Sequence, residues 1–374
     1  MTLIEEVRGF SSFLGLEKEW NSVLQKSEND SIFLRHEWFR SWWEAYGAEK
    51  ELLILLIKEN GELLGICPFM ISKGHFRGFP IKKISFIEND ETPRLNMIYI
   101  KGRNEIVGTI IGYLLQKVKE WNILILNKIP VDSESYAMIQ KVCRENKLFF
   151  FNKTSWQSPF LKIETDWNTF YKNTSQRLKK RLRYNNNQLK KLGDIEISQI
   201  DGREKDLEDV FSIGRSSWKN KIDKSISSTE ENKKFFSSLT ATADTKGWLY
   251  VWMMKANGKP VAFEYDLQYK GKVHALRSEF DEEYASYSPG AVLENFIIKS
   301  IFENGFKEYD MGGSADEYKK HWTTSIREHV NILVFNKGLY SKLMVFVEGT
   351  VIPYIKRKQL FQRLKKVQKP NNMR

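Results

Sequence analysis

Segment 286–322 carries most of the side chains in this sequence that are suited to chemistry. It opens with a Ser-Pro-Gly triplet, and the apolar residues that follow recur at helical spacing, which is typical of a helix start with Ser as the cap. The first turn of a helix leaves backbone N–H groups unpaired at the positive end of the helix dipole, which favours an anion such as a pyrophosphate. The sequence therefore predicts an anion-binding turn made of Ser288, Pro289, Gly290 and Ala291.

Three carboxylates lie in or at the end of predicted strands near this segment. Glu264 and Asp266 interrupt an otherwise apolar strand, and they share one of its faces because side chains alternate along a strand. Asp310 ends the strand that follows the helix and precedes Gly312 and Gly313. A carboxylate can take a proton from an attacking group, so Glu264 and Asp310 are candidate catalytic residues. The alternative is that they form ion pairs or a solvated edge.

Other catalytic patterns are missing from the sequence. The histidines show no metal-ligand spacing with cysteines or acids; they are His36, His75, His274, His321 and His329. No Ser-His-Asp or phosphate-loop pattern is present either. We therefore expect neither a bound metal nor a nucleotide-hydrolysing enzyme.

The elements that position these residues occur twice along the chain. An apolar strand, a turn containing Asn-Gly and a second apolar strand appear at 52–71 and again at 249–267. Asn-Gly supplies the positive φ angles of a tight hairpin turn. Each hairpin is followed by helical apolar spacing, at 104–121 and at 290–305, which runs into another strand. We predict an α/β (α+β) fold of two related halves with mixed central sheets flanked by helices, the alternative being chance recurrence of a common pattern.

The order of these motifs resembles that of a known family. The run from Tyr284 to Leu293 reads Tyr-x-x-Tyr-Ser-Pro-Gly-x-x-Leu, the strand after the helix reads Gly-Phe-x-x-Tyr-Asp-Met-Gly-Gly, and Tyr-Lys-x-x-Trp follows at 318–322. Over about residues 165–340 this order resembles the branch of the GNAT acyltransferase superfamily named for a cellulose-biosynthesis protein. More distantly it resembles the Fem-type peptidoglycan aminoacyltransferases, which carry two GNAT halves. The N-terminal half is matched more loosely, through tryptophans at 38–43 that either line an acceptor cleft or fill the core.

The resemblance implies tandem acyl-CoA N-acyltransferase (GNAT) folds. Residues 1–160 would form a degenerate half on the acceptor side, residues 161–340 the half with the donor and catalytic site, and residues 341–374 a basic amphipathic tail. The strand Val261–Tyr269 would be bulged and diverge from the next strand, which would admit the pantetheine arm of the donor. The pyrophosphate would then meet the helix start at Ser288.

The activity that the resemblance implies is transfer of an acyl group from acyl-CoA, such as acetyl-CoA, to an amine. The acceptor would be an amino sugar or its nucleotide-linked precursor in surface polysaccharide synthesis. Lys319 aligns with a basic position that faces substrate phosphate in Fem-type relatives, so it is expected to contact a phosphate or a carbonyl and to act in catalysis. The expected substrate-binding residues are Tyr318, Trp322, Gly312 and Gly313, with core packing as the alternative for Trp322.

Two other functions remain open on the sequence. The Arg/Gln-x-x-Gly-x-Gly/Ala loop of ordinary GNAT enzymes is absent, and Fem-type relatives use an aminoacyl-tRNA as donor. A tRNA-dependent aminoacyltransferase is therefore one alternative. A non-catalytic scaffold in a glycan-synthesis complex is the other.

The net charge of +12 indicates a partner with phosphates, such as CoA, a nucleotide sugar, RNA or an anionic membrane. All charged residues in 175–193 are basic and surround the leucine stripe of a predicted amphipathic helix, unless they are simply a solvated face. The tail pairs apolar with basic residues over 342–367, which suits a membrane interface. Cys67 and Cys143 are expected to be buried thiols, which favours a cytoplasmic location, with peripheral attachment at the inner face of the membrane as an extension.

Overall fold

The computed structural model describes residues 2–118, 121–355 and 357–358. Up to residue 162 its elements are, in chain order, β1 (Thr2–Val7), α1 (Phe10–Leu14), α2 (Glu17–Gln25), α3 (His36–Tyr46), β2 (Glu51–Glu59), β3 (Glu62–Phe76), β4 (Phe79–Phe86), β5 (Ile98–Tyr99), α4 (Glu105–Gln116), β6 (Ile123–Pro130), α5 (Glu134–Glu145) and β7 (Phe150–Lys162). The chain continues with α6 (Trp167–Asn173), α7 (Gln176–Leu189), β8 (Ile195–Ile200), α8 (Glu204–Ser216), α9 (Glu230–Thr245), β9 (Leu249–Ala256), β10 (Lys259–Tyr269), β11 (Lys272–Phe280), α10 (Pro289–Glu303), β12 (Glu308–Asp310), β13 (Ile326–Phe335) and α11 (Leu339–Phe346).

The strands of the described residues join one 13-stranded mixed sheet. Its order is β1-β2-β3-β4-β6-β13-β7-β12-β11-β10-β9-β8, and the short β5 pairs with β3 beside this path. Helices pack against the sheet, among them α8 and α10 against β10. The predicted α/β class is confirmed, although the two predicted sheets are one continuous sheet.

The predicted duplication is present in the strand order. The β2–β3 and β9–β10 hairpins both turn through Asn-Gly, with positive φ at Asn60 (50°) and Gly61 (85°) and at Asn257 (49°) and Gly258 (79°). In each half a third antiparallel strand follows the hairpin, then a helix, then a strand parallel to the third strand. The helices are α4 and α10, and the parallel pairs are β4–β6 and β11–β12. Two copies of one supersecondary unit therefore build most of the sheet.

The segment between the halves differs from the prediction. Residues 1–160 and 161–340 are expected to form the two halves, but the boundary between these ranges lies within β7. β7 pairs antiparallel with β13 on one side and with β12 on the other, which provides its backbone with hydrogen-bond partners. Both partner strands lie far along the chain, so the local pattern contains no sign of them. The predicted division at residue 160 falls inside this strand of the shared sheet.

Helices α3 and α9 pack together, and one hydrophobic cluster runs through both halves. The rings of Trp38 and Phe235 meet edge to face with their centroids 5.3 Å apart. Trp38 and Trp42 are fully buried in this cluster, and Trp43 packs against it partly buried. Full burial of such a side chain contributes about 2–3 kcal/mol. The tryptophans at 38–43 therefore fill the core that joins the halves.

The sheet opens one strand later than predicted. β10, which contains the strand Val261–Tyr269, has a register shift between Tyr265 and Asp266 but stays paired with β11 from Ala262 to Tyr269. β11 in turn pairs with β12 only over Lys272–His274. The expected bulge is thus present, but the gap lies between β11 and β12, because the hairpin to β11 keeps β10 and β11 together. The gap begins beyond His274.

Three further expectations concern the thiols and the tail. Cys67 and Cys143 are buried and free, as predicted. No helix within the described ranges has the length and apolar character needed to span a membrane. Of the predicted tail at 341–374, only residues up to 358, without 356, are described; the basic residues Arg363, Lys365 and Lys366 lie outside the described residues.

Candidate active site

A cavity of about 600 Å³ lies where β11 and β12 diverge. Residues 275–280 of β11, the first turns of α10 and alternate parts of segment 309–319 line it, and the N-terminal half adds Asp90, Glu91, Pro93 and Trp156. Its charged lining consists of the acids Asp90, Glu91, Glu264, Glu279, Glu294 and Asp316 and the bases Lys219, Arg277 and Lys319. Acidic side chains thus outnumber basic ones, which favours a cationic ligand over an anionic one in this space.

Glu264 is a buried carboxyl that lines the cavity from β10. Its Oε1 accepts a hydrogen bond from the hydroxyl of Tyr309 on β12. Burial raises the pKa of Glu264, and the Tyr309 hydroxyl and the ammonium groups of Lys319 and Lys219 oppose that rise. Burial also raises the pKa of Tyr309 well above its ordinary value, so the phenol remains a donor. A buried carboxyl with a raised pKa is more basic than an exposed one and is suited to accepting a proton.

Two more buried carboxyls lie close to Glu264. Glu294 lines the cavity from the second turn of α10, and its Oε2 accepts a hydrogen bond from Trp322 Nε1 at 3.2 Å. Burial, and then the negative charge of Glu264, raise the pKa of Glu294 to about 8. Burial also raises the pKa of Asp266, whose two carboxyl oxygens have no hydrogen-bond partner among the described residues. Because three like charges this close cannot all be ionised, this carboxyl cluster holds protons at neutral pH.

Lys319 lines the same cavity with its side chain buried. Its Nζ donates a hydrogen bond to the carbonyl oxygen of Gly312 at 2.6 Å. Burial lowers the pKa of Lys319, while the carboxylates of Asp316, Glu294 and Glu264 oppose the change. The Lys319 ammonium therefore lies near the carboxyl cluster, and the Gly312 carbonyl, rather than a direct ion pair, fixes its position.

Gly312 and Gly313 allow the turn after β12 to pass close to β11 and to the Lys319 side chain. Both have left-handed backbones, with φ angles of 58° and 59°. A Cβ on Gly312 would lie 2.4 Å from the carbonyl oxygen of Ala275 on β11, and one on Gly313 would lie 3.2 Å from Lys319 Nζ. Of the two, Gly313 lines the cavity. Both glycines, predicted to bind substrate, shape the site through the backbone.

Asp310 is held by arginines behind the cavity. Its Oδ2 pairs with Arg94 of the N-terminal half and with Arg327 of β13, the latter at 3.0 Å, and its Oδ1 accepts the Gly312 N–H at 3.0 Å. His274 Nδ1 lies 3.9 Å away, but burial lowers the pKa of His274 well below its ordinary value, so this ring stays neutral. Asp310 is not among the described residues that line the cavity. Its carboxylate instead ties the two halves together.

The helix predicted to bind an anion begins at Pro289, as α10. Ser288 before it has a left-handed backbone (φ 54°, ψ 48°), and its side chain makes no capping hydrogen bond, because a capping side chain needs the extended backbone. Gly290 and Ala291 line the cavity, whereas Ser288 and Pro289 are not among its described lining residues. A Cβ on Gly290 would meet Phe280 Cδ1 at 3.5 Å, an ordinary contact. The first turn therefore borders the cavity with its backbone.

Aromatic side chains border the rest of the cavity. Tyr318 lines it and is 41% exposed, whereas Trp322 is buried in the core of the second half. Trp156 of β7 and the exposed Trp218 also line it. Tyr318 is thus available to a ligand, and Trp322 packs in the core while its indole N–H holds Glu294.

The N-terminal half closes one side of the cavity. Asp90 and Glu91 line it from the loop after β4, and Glu91 pairs with Arg277 of β11. Opposite, Glu279 accepts the backbone N–H of Ile226 at 2.7 Å through Oε1, and its Oε2 has no hydrogen-bond partner among the described residues. The wall is therefore acidic on both sides.

Sequence reasoning missed Glu294, Glu279, Tyr309 and Lys219. Glu294 had a usable signal, since it is a charged residue on the apolar helix directly after the Ser-Pro-Gly start. Tyr309 stands beside Asp310 in the same motif. Glu279 lies on a third strand that the hairpin pattern does not predict, and Lys219 comes from a short turn at 218–222 that only the fold brings near.

Residues 176–320 match the family model of the acetyltransferase (GNAT) domain. This segment contains every cavity-lining residue of the second half described above. Residues 176–320 therefore form a GNAT acyltransferase domain, as predicted, and most of the cavity lining belongs to that domain. A search of curated proteins found no match to the chain.

The fold of the whole chain is similar to those of several solved structures. FemX aligns with 91% of this chain and 100% of its own at 11% identity, with a TM-score of 0.58. L-PGS from Bacillus licheniformis aligns with 88% of this chain and 96% of its own at 10% identity, with a TM-score of 0.54. A tandem GNAT protein from the clavulanic acid biosynthesis pathway aligns with 89% of this chain and 98% of its own at 7% identity, with a TM-score of 0.52. At these identities the likeness concerns the fold: the predicted tandem arrangement and the resemblance to a Fem-type fold are confirmed, and the cellulose-biosynthesis branch stays a prediction.

Proposed function

We propose that the protein transfers an acyl group from an acyl-CoA to the amine of an amino sugar or a nucleotide-linked amino sugar. The observation that carries the proposal is the buried Glu264, held by the Tyr309 hydroxyl, in a cavity of the GNAT domain. Acylation of an amine needs a group that takes the proton from nitrogen as the bond to carbon forms. Glu264 suits that task through its position in the cavity lining and its raised pKa.

Glu264 acts as the general base in this proposal. Burial raises its pKa toward neutrality, so a carboxylate that forms there is more basic than an exposed one. The Tyr309 hydroxyl fixes its orientation through the hydrogen bond to Oε1. Glu294, with a pKa of about 8, is mostly protonated at neutral pH and can donate a hydrogen bond to the reacting groups.

Lys319 supplies the positive charge of the site. Its Nζ is held at the Gly312 carbonyl and faces the cavity, where it can bind a carbonyl or phosphate oxygen. Asp310 has a different role from the one expected: we propose that it is a positioning residue, since its carboxylate is committed to Arg94 and Arg327.

The residues present fit an acyl-CoA donor along the gap between β11 and β12. That gap gives an elongated arm a way between the strands, and the Gly290–Ala291 backbone borders it without a side chain in the way. An acyl-CoA supplies a thioester carbonyl and a thiol leaving group. The acidic lining does not suit its phosphates, so these would lie outside the cavity.

The exposed face of α7 suits those phosphates. Arg177, Lys180 and Arg183 are exposed, and none has an ion pair with a carboxylate among the described residues. α7 packs against α10, the helix whose first turns border the cavity. The same face also fits the phosphates of a tRNA, which keeps a tRNA-dependent aminoacyltransferase as the second candidate.

The cavity supports an amine acceptor with a ring. Carboxylates of Asp90, Glu279 and Asp316 can bind ammonium and hydroxyl groups, and the Trp156 and Trp218 side chains can cover the apolar face of a sugar. These features support an amino sugar in the cavity, with any nucleotide linked to it lying outside the acidic lining. A cytoplasmic location, where acyl-CoA and nucleotide sugars are made, is part of the proposal.

The test is a mass-spectrometric screen of the purified protein with acetyl-CoA and a panel of amino sugars and amino-sugar nucleotides. We expect an acylated product together with free thiol, and a strong decrease of both with the Glu264→Gln variant. Product with aminoacyl-tRNA alone would favour the second candidate. A folded protein that turns over neither donor would leave only a scaffold role.

A further inference from the structure

The helical segment at residues 339–355 packs Met344 on the body of the protein but leaves other large apolar side chains in solvent. It consists of α11, a π-helical turn at Val347–Val351 and a short continuation. Leu339 is 84% exposed, Leu343 46% and Phe346 56%. A helix on a protein surface normally turns such residues toward the core and its polar residues outward.

Helical geometry places these three side chains together. At about 100° per residue, Leu339, Leu343 and Phe346 fall within an arc of roughly 60°. The buried residues of the same segment are Ser341, Met344 and Glu348, which lie on the opposite side. The exposed leucines and phenylalanine therefore form one stripe, which we call the apolar stripe.

Polar contacts hold the helix in this orientation. Glu348 pairs with Arg77 at 2.7 Å and with Lys153 at 2.6 Å. Ser341 Oγ donates to the carbonyl oxygen of Asn122 at 3.1 Å. These contacts come from the buried side, so the orientation of the apolar stripe is set by the body of the protein.

Cations lie before, within and after the apolar stripe along the chain. Lys337, Lys342, Arg357 and Lys358 are exposed, and none pairs with a carboxylate among the described residues. Exposed tyrosines complete the pattern, with Tyr340 39% and Tyr354 65% accessible, and such rings suit the boundary between lipid and water. A second copy is a poor occupant, because its own cations would meet these.

We infer that the apolar stripe inserts into the headgroup region of an anionic lipid bilayer, with the surrounding lysines and arginines on lipid phosphates. An amphipathic helix with a basic flank binds a membrane in this way, lying in the plane of the interface. This contact is independent of the proposed acyl transfer. It brings the GNAT domain to a membrane surface without a spanning helix.

The experiment is sedimentation of the full chain with phosphatidylcholine vesicles and with vesicles that also contain phosphatidylserine. We expect binding to the anionic vesicles, weaker binding to the neutral ones, and a decrease with added salt. The L343E/F346E double variant should lose binding at least about tenfold. Leu3→Glu is the matched control, because Leu3 is 61% exposed on β1 and lies outside the apolar stripe.

Circular dichroism and size-exclusion chromatography accompany both variants. Absence of vesicle binding by the folded wild-type chain overturns the inference, as does equal binding by the double variant. If the wild-type chain is a dimer and the L343E/F346E variant is a monomer, the apolar stripe is instead an interface with a second copy of the chain.

Discussion

The ammonium of Lys319 lies 2.6 Å from the carbonyl oxygen of Gly312, in the turn that follows β12. A Cβ on Gly312 would lie 2.4 Å from the Ala275 carbonyl oxygen of β11. The same glycine therefore sets where the cation stands and how closely β11 approaches the turn. The position of the Lys319 charge and the width of the site next to β11 therefore both depend on the backbone of Gly312.

Gly312→Ala should destabilise the protein by about 1–3 kcal/mol and reduce acyl transfer, because both the φ of 58° and the contact with Ala275 oppose a side chain. Gly305→Ala is the control, since Gly305 has a φ of 69° and nothing within 4 Å of its added Cβ. Chemical denaturation and an activity assay measure the two effects. Equal loss in both variants would show that backbone strain alone matters.

Glu264→Gln should lower kcat/KM by about 10²–10⁴-fold if Glu264 is the base. In the wild-type protein, kcat/KM should rise with pH through the raised pKa of Glu264, since only the ionised form accepts a proton. Tyr309→Phe should move this limb to higher pH, because the Tyr309 hydroxyl opposes the rise of that pKa. If neither substitution changes how kcat/KM rises with pH, a residue other than Glu264 is the general base.

Glu294 should make the protein less stable as pH rises. Its folded pKa is about 8 and its ordinary value is 4.5, so between these values the folded state binds more protons than the unfolded state. The free energy of unfolding should then fall on the order of 1 kcal/mol per pH unit over this window. Glu294→Gln should flatten that slope in urea denaturation at pH 5 to 8, and an unchanged slope would contradict the assignment.

Gly290→Asp should weaken acyl-CoA binding at least about tenfold, or ~1.4 kcal/mol, by placing a carboxylate at the helix start that borders the cavity. Gly290→Ala tests the added carbon alone, which meets only an ordinary contact with Phe280. Isothermal calorimetry compares the two variants. Full affinity in the aspartate variant would show that the donor arm does not pass along this turn.

Arg94→Met should destabilise the protein by about 1.5–3 kcal/mol, because the buried Asp310 carboxylate loses one of its two arginine partners. Arg8→Met is the control, since Arg8 pairs with Glu6 while 45% of its side chain is exposed, and such surface pairs contribute about 0–1 kcal/mol. Equilibrium denaturation measures the loss in free energy of unfolding for both variants. Similar losses would mean that the Asp310 pairs do not join the halves.

The sequence predicts well what depends on local pattern. Asn-Gly hairpins, the helix at Pro289 and the repeat of both units follow from φ preferences and hydrophobic periodicity, and the structure contains them. β7 was missed because its partners β12 and β13 come from far along the chain. The same limit applies to the cavity: Glu264 and Lys319 are visible in their motifs, but Asp90 and Lys219 join them only through tertiary packing.

The position of β13 between β6 and β7 has a consequence for how the chain is made. β13 is synthesised last among the strands, yet it completes the sheet of the first half. The first half therefore emerges from the ribosome with the facing edges of β6 and β7 unpaired until residue 335 has been added, and such edges are prone to aggregation. The two halves are not separable modules: expression of residues 1–160 alone should give an insoluble fragment, although each half contains a full copy of the repeated unit.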